Sequence, residues 1–265
     1  MSRELPPLFC AESGDGEPVL LIHGLGASHR DWRDVMPALA PHYRVLAPDL
    51  RGHGSSPRQR PYNPERFAAD MRALLDARGV DRVDVVGHSM GGAVALCLAL
   101  CAPERVRRLV IANSVPSFRP RRPAEIAEIA FRIGMMGVLG PKRLGRIMAR
   151  RMFPDPGQEA QRALLEERAE RNRRGVYLES LIALSRWSVR ERLDAVTMPA
   201  LVIASGHDYF PVDDSERFAA ELPDGRLHIF PDARHGLPLE HGEAMAEIIA
   251  AFLREPGEHQ RRVVE

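Results

Sequence analysis

The chain has 265 residues, 45% hydrophobic and 28% charged, the proportions of a globular protein able to bury one sizeable core. They exclude a disordered, collagenous or coiled-coil chain, and a formal charge of +1 gives no global field of the kind nucleic-acid binders carry. Lys142 is the one lysine, which reads as compositional bias rather than a site. Cys10, Cys97 and Cys101 are too few for a disulfide framework and read as buried, reduced thiols of a cytoplasmic protein. Met1 to Pro7 carries acid and proline where a secretory signal needs an apolar core. The longest apolar run, Ala93 to Ala102, is half of the ~20 residues a membrane span requires, so no membrane span is expected.

In chain order, short apolar runs bounded by turn residues predict buried strands over Val19–Ile22, Val45–Ala47, Val83–Val86, Leu109–Ala112, Leu201–Ala204 and Leu227–Phe230. Helical periodicity separates most of them, over Trp32–Leu39, Asn63–Ala77, Met90–Ala102, Ser215–Leu222 and Gly242–Leu253. Such alternation argues an α/β fold with a mostly parallel, doubly wound sheet. The rhythm breaks once: between Ala112 and Leu201 the pattern is helical, opened by Pro116, Pro120 and Pro123 and closed by Pro199. This predicts a helical insertion before the last two strands, dividing the chain into a body (1–115 and 194–265) and a cap (116–193). The polar tail after Glu255 is expected to fray.

The sharpest local signal is Gly87-His88-Ser89-Met90-Gly91. It satisfies Gly-x-Ser-x-Gly after an apolar strand and before an Ala/Leu-rich helix, the context of a nucleophile elbow. A serine hydroxyl needs a base, and the base an acid to orient it. In this architecture acid and then base follow the serine, each just after a strand. Asp208 follows Leu201–Ala204 and His235 follows Leu227–Phe230, so Ser89, Asp208 and His235 are expected to converge on one sheet edge. Asp232 is too near His235 in sequence to orient it, and Asp213-Asp214 read as an N-cap before the next helix. His207, His228 and His241 read as packing or surface residues. A metal site on His207, Asp208 and His235 lacks zinc-ligand spacing, so no metal and no organic cofactor is expected. An acyl-transfer site also needs oxyanion donors: the Met90 N–H after the serine, and the Leu25 N–H in the His23-Gly24-Leu25-Gly26 loop after Val19–Ile22. His23 reads as a brace for that loop.

With these pieces, together with Trp32, Asp49 to Ser56 and Leu237 to Glu240, the chain resembles an α/β-hydrolase along nearly all its length. The resemblance implies a helical cap where the insertion falls and a structural role for the Asp49–Ser56 loop. Serine at the elbow separates the chain from haloalkane dehalogenase-like and epoxide hydrolase-like members, which carry aspartate there. The serine branch resembles carboxylesterases, lactonases such as 3-oxoadipate enol-lactonase, C–C bond hydrolases, acyl-carrier-protein methyl ester esterases and cofactor-free perhydrolases. The expected reaction is cleavage of a small or medium carboxylic ester or lactone through an acyl-enzyme. A hydrolase-fold receptor is the reading from a different class.

The cap is expected to set the substrate. Between Pro116 and Arg192 there are 17 basic and 9 acidic residues, so a stretch of +8 sits on a body of −7. Solvated helix faces account for such runs. The alternative is a dock for something acidic, such as an acyl-carrier protein, a coenzyme A ester or a dicarboxylate half-ester, which charge reversal at Arg143, Arg146 and Arg150 would weaken. Phe131, Met135, Met136 and Trp187 are the expected pocket liners.

Overall fold

The computed structural model describes residues 7–255. The leading residues read against a signal sequence, up to Pro6, and the polar tail beyond Glu255 lie outside them. Seven strands form one sheet: β1 (Cys10–Ser13), β2 (Glu17–Ile22), β3 (Tyr43–Pro48), β4 (Val83–His88), β5 (Val106–Ala112), β6 (Ala200–Ser205) and β7 (Gly225–Phe230). Their order is β1-β3-β2-β4-β5-β6-β7. Only the β1–β3 pair is antiparallel, so the α/β, mostly parallel, doubly wound sheet expected from the alternation is the observed one.

The pleat sends alternate residues of each strand to opposite faces. Leu20 and Ile22 of β2 join one apolar cluster with α2 (Pro64–Ala77), α3 (Met90–Cys101) and α8 (Val212–Glu221). Val19 and Leu21 join another with α1 (Val35–Leu39) and α10 (Gly242–Arg254). The Asn63 side chain caps α2 by accepting the Arg66 N–H at 2.8 Å, with Pro64 at the first helical position.

Four helices lie between β5 and β6: α4 (Pro123–Val138), α5 (Gly140–Met152), α6 (Glu159–Arg171) and α7 (Arg174–Leu184). They hold an apolar cluster of their own around Met136, Leu144, Met148, Phe153 and Leu165. Where chain enters and leaves this unit, Val189 N–H bonds Pro116 O at 2.9 Å and Phe118 N–H bonds Trp187 O at 3.1 Å. The two connections are thus tied side by side.

Several local expectations differ from the structure. β1 carries no apolar run, because a four-residue edge strand needs only one buried flank. The segment Trp32–Leu39 is a 3₁₀ turn over His29–Trp32 followed by α1. Helix α8 begins at Val212, so Asp213 and Asp214 lie inside its first turn instead of capping it. There they still face the positive end of the helix dipole. A short helix, α9 (Leu237–Glu240), follows the last loop. Cys97 is buried, but Cys101 at the end of α3 is exposed and Cys10 is half-buried.

Candidate active site

Ser89 sits between β4 and α3 with φ 55 and ψ −121, a left-handed backbone that costs a non-glycine residue energy unless its surroundings impose it. Here they do. Ser89 N–H bonds Ala112 O at 2.9 Å and Ser114 Oγ donates to Ser89 O at 2.7 Å, pinning the turn to the end of β5. The flanking glycines leave no room for a side chain: a Cβ on Gly91 would stand 2.1 Å from Ile22 O, and one on Gly87 2.3 Å from Gly91 O. The pattern glycine-x-serine-x-glycine is thus a steric consequence of folding the elbow between β2 and β5.

His235 and Asp208 arrive from the ends of β7 and β6. Gly206 N–H to Phe230 O at 2.9 Å and His207 N–H to Ala233 O at 3.0 Å bind the two loops together. A Cβ on Gly206 would meet Pro231 O at 2.0 Å, so only glycine permits that approach. The His235 Nδ1–H donates to Asp208 Oδ1 at 2.6 Å, and Nε2 lies 2.9 Å from Ser89 Oγ. The carboxylate fixes the tautomer, leaving Nε2 as the acceptor for the serine proton. Asp208 Oδ2 is buried and has no hydrogen-bond partner among the described residues. Asp232 and Asp213 are exposed, and His207 is on the surface.

The loop after β2 lies over the serine, where a Cβ on Gly24 would be 3.2 Å from Ser89 Cβ. Leu25, next in the chain, borders the same cavities as Ser89, and Met90 opens α3 with one of its unbonded leading N–H groups. His23 braces this loop. Its Nδ1–H donates to Gly24 O at 2.8 Å and its Nε2 accepts the Leu50 N–H at 3.0 Å, while burial lowers its pKa to about 4. It is therefore a neutral strut. The Asp49 loop is likewise self-contained, with Oδ1 taking the His29 N–H at 2.7 Å and Oδ2 the Ser55 N–H at 2.8 Å.

Residues 17–242 match the family described as alpha/beta hydrolase fold. The chain belongs to the α/β-hydrolase fold family. It is 32% identical over 264 residues to the 2-hydroxymuconate semialdehyde hydrolase of Pseudomonas sp. (strain CF600), covering 92% of this chain and 89% of that one. Among solved structures, a hydrolase from Pseudomonas aeruginosa PA01 superposes with a TM-score of 0.81 at 31% identity over 94% of each chain. The enol-lactonase from Burkholderia xenovorans LB400 gives a TM-score of 0.84 at 25% identity, covering 94% and 96%. The chain is thus a hydrolase, with relatives named for more than one bond type.

Two cavities meet at Ser89 and His235. A small one of about 90 Å³ runs under α5 and α6, lined by Met136, Leu144, Met148 and Met152 beside Asp31 and Arg168. A larger one of about 500 Å³ opens along α4 and α7, with Phe118, Ile129, Leu181, Leu184 and Phe210 on its walls. Leu25, Arg132 and Tyr209 border both. Of the expected liners only Met136 borders either of these two cavities. Trp187 is buried in the apolar cluster around α3, where its Nε1–H points at Cys97 Sγ at 3.3 Å. Phe131 packs at the edge of the cap cluster under the Arg151 guanidinium, 4.6 Å away, and Met135 packs against the same cluster. An i, i+3, i+4 apolar stripe names the inward face of a helix but not which residues meet a void.

Four neighbours of the site escaped sequence reasoning. His88 donates from Nε2 to the His235 carbonyl at 2.8 Å, edge-on to Trp32, and burial lowers its pKa to about 3. Tyr209 lies against the His235 ring at 4.4 Å, centroid to centroid, and the Arg132 guanidinium lies over Tyr209 at 5.1 Å. Asn113 donates to Arg234 O at 3.0 Å, tying β5 to the loop that carries His235. The positions of His88 and Tyr209, each adjacent to a triad position in sequence, were a usable signal; Arg132 had none.

The charge partition also resolves. Arginines of residues 116–193 pair with acids outside that stretch in Arg168–Asp31, Arg122–Asp214 and Arg190–Glu221, and its acids pair with arginines outside it in Glu167–Arg30, Glu179–Arg60 and Asp155–Arg234. Lys142 and Arg146 pair with Glu170 and Glu166 across α5 and α6. Arg143, Arg146 and Arg150 all lie on the exposed face of α5, and none of them borders either cavity.

Proposed function

We propose that this α/β-hydrolase cleaves a small or medium carboxylic ester or lactone through an acyl-enzyme, with Ser89 as nucleophile. The observation that carries the reading is the continuous chain from Ser89 Oγ through His235 Nε2 and Nδ1 to Asp208 Oδ1, at 2.9 and 2.6 Å. Ser89 Oγ attacks the acyl carbon as His235 Nε2 takes its proton. The N–H groups of Leu25 and Met90 receive the oxyanion, and Asp208 holds the imidazolium. His235 then protonates the departing alkoxide, and later takes a proton from the water that releases the acyl group from Ser89. Residues 116–193 act as a cap that sets which acyl and leaving groups fit, over a body of 1–115 and 194–265. The substrate is a small molecule, and neither a metal nor an organic cofactor has a place in these steps.

Carbon–carbon bond hydrolysis is the second reading, favoured by the relative named as a 2-hydroxymuconate semialdehyde hydrolase. It differs at one step: the leaving atom is carbon, so the proton must reach a carbon rather than an oxygen. Turnover of p-nitrophenyl esters, with labelling of Ser89 by a fluorophosphonate, supports the ester reading. Labelling without ester turnover, accompanied by cleavage of a 2-hydroxy-6-oxo-dienoate, supports the second. Neither labelling nor turnover overturns both. An acyl-carrier dock on Arg143, Arg146 and Arg150 predicts a carrier-bound thioester whose kcat/KM falls with salt and with charge reversal there.

A further inference from the structure

Two half-buried arginines border the site, and their charges are balanced differently. Arg168 faces the small cavity and is paired with Asp31, a side chain that is itself buried. Arg132 has Glu128 as its carboxylate partner, through Nε–H to Oε1 at 2.7 Å, but the other oxygen of Glu128 is taken by Arg151 Nη1 at 3.0 Å. One carboxylate therefore serves two guanidiniums, and a positive charge is left over at the cavity wall. Arg151 is 46% exposed and keeps its water, whereas the Arg132 side chain is 17% exposed. Taking a guanidinium out of water is costly unless its donors and its charge are matched. Tyr209 offers Arg132 a ring face, which attracts a cation but accepts no hydrogen bond in the guanidinium plane. The Nε bond to Glu128 leaves the Nη hydrogens of the fork for other acceptors, and the one beside them, the Tyr177 hydroxyl, carries no charge to balance the guanidinium.

The rest of the large cavity has the same sign. Arg119, Arg121, Arg122, Arg190 and Arg217 border it together with Arg132, against Glu125, Glu128 and Asp214. Arg119 is bonded to a carbonyl, that of Arg186, rather than to a carboxylate. A cleft lined this way concentrates anions at its mouth, and the half-buried fork beyond it matches a carboxylate in charge and planar shape.

We propose that Arg132 is a specificity-determining residue that binds a carboxylate carried by the substrate, so that the preferred ester or lactone is anionic. This rests on the serine-hydrolase reading of Ser89 and adds the class of molecule delivered to it. The carboxylate completes the unbalanced Arg132–Glu128–Arg151 group. Tyr209 contacts both the guanidinium and the His235 ring, and Arg132 borders the same two cavities as Ser89 and His235, which places the anion beside the reacting groups.

The test compares two acyl esters of nearly equal shape, p-nitrophenyl valerate and the p-nitrophenyl half-ester of glutarate, through the ratio of their kcat/KM values. The ratio cancels any loss common to both. The wild type is expected to prefer the half-ester by about 10-fold or more, and Arg132→Gln to reduce that preference by about 10- to 100-fold, the range for a charge-assisted hydrogen bond. Arg132→Lys, which keeps the charge but not the fork, should retain part of it, and the preference should weaken with added salt. A wild-type preference for valerate, a ratio that Arg132→Gln leaves alone, or an equal fall in Arg150→Glu on the outer face of α5 overturns the inference while leaving the role of Ser89 intact. If neither ester turns over and Ser89 takes no fluorophosphonate, the underlying reading has failed instead. Glutarate binding by calorimetry then decides: saturable binding lost in Arg132→Gln supports the anion site, and no binding overturns it.

Discussion

Lowering the pH from 7 to 5 should weaken the fold sharply, because three histidines are buried neutral. Burial holds the pKa of His23 at about 4 and those of His53 and His88 at about 3, each down from 6.5. Between 6.5 and those values the unfolded chain binds protons that the folded chain refuses. The stabilisation is therefore complete above the unfolded value and is lost as pH falls toward 4. Over pH 7 to 5 each group accounts for about 2 kcal/mol, so roughly 6 kcal/mol together, a large part of the 5–15 kcal/mol typical of a domain. Urea unfolding at the two pH values measures this. His53→Gln isolates one contribution, since His53 stands away from Ser89, with Nδ1 3.2 Å from Arg51 O and Nε2 buried without a partner. The variant should lose about 2 kcal/mol less than the wild type between pH 7 and 5. Equal losses in the two proteins, or a wild type changing by under about 1 kcal/mol, refute the assignment.

Other consequences follow from single contacts. Ser89→Ala should abolish fluorophosphonate labelling and reduce turnover by about 10⁴-fold or more, read by mass spectrometry and steady-state kinetics. Asp208→Asn should leave the fold in place and lower kcat by about 10⁴-fold, because the amide no longer enforces the productive His235 tautomer. Gly91→Ala forces a methyl against Ile22 O, 2.1 Å from the ideal Cβ. It should cost about 1–3 kcal/mol or more in urea unfolding, and a neutral result would contradict the steric account of the elbow. Asp70→Ala strips the buried Arg51 guanidinium of its paired carboxylate and should destabilise by about 3–5 kcal/mol, seen as a lowered Tm.

Six strands, the insertion and the order of Ser89, Asp208 and His235 were legible in the sequence, and the reason is local. Buried parallel strands such as Val83–His88 must be apolar along their whole length, and the turn at Ser89 tolerates only glycine at Gly87 and Gly91. Both demands are written into adjacent residues. The short edge strand β1 escaped because its two faces make no such demand. The start of α8 was misplaced because Asp213 and Asp214 suit the first turn of a helix as well as its cap.

What the sequence could not decide was everything that depends on a second surface. Trp187 and Met136 look alike as apolar cap residues, yet one closes on Cys97 in the core and the other borders the cavity beside Ser89. The +8 of the cap looked like a patch, but pairing across the body–cap boundary runs in both directions. The residue left with an unbalanced charge, Arg132, is one arginine among many in the chain. Composition determines how much charge and apolar surface a chain carries; only packing determines which charge loses its water, and at this site that is the guanidinium beside Tyr209 and His235.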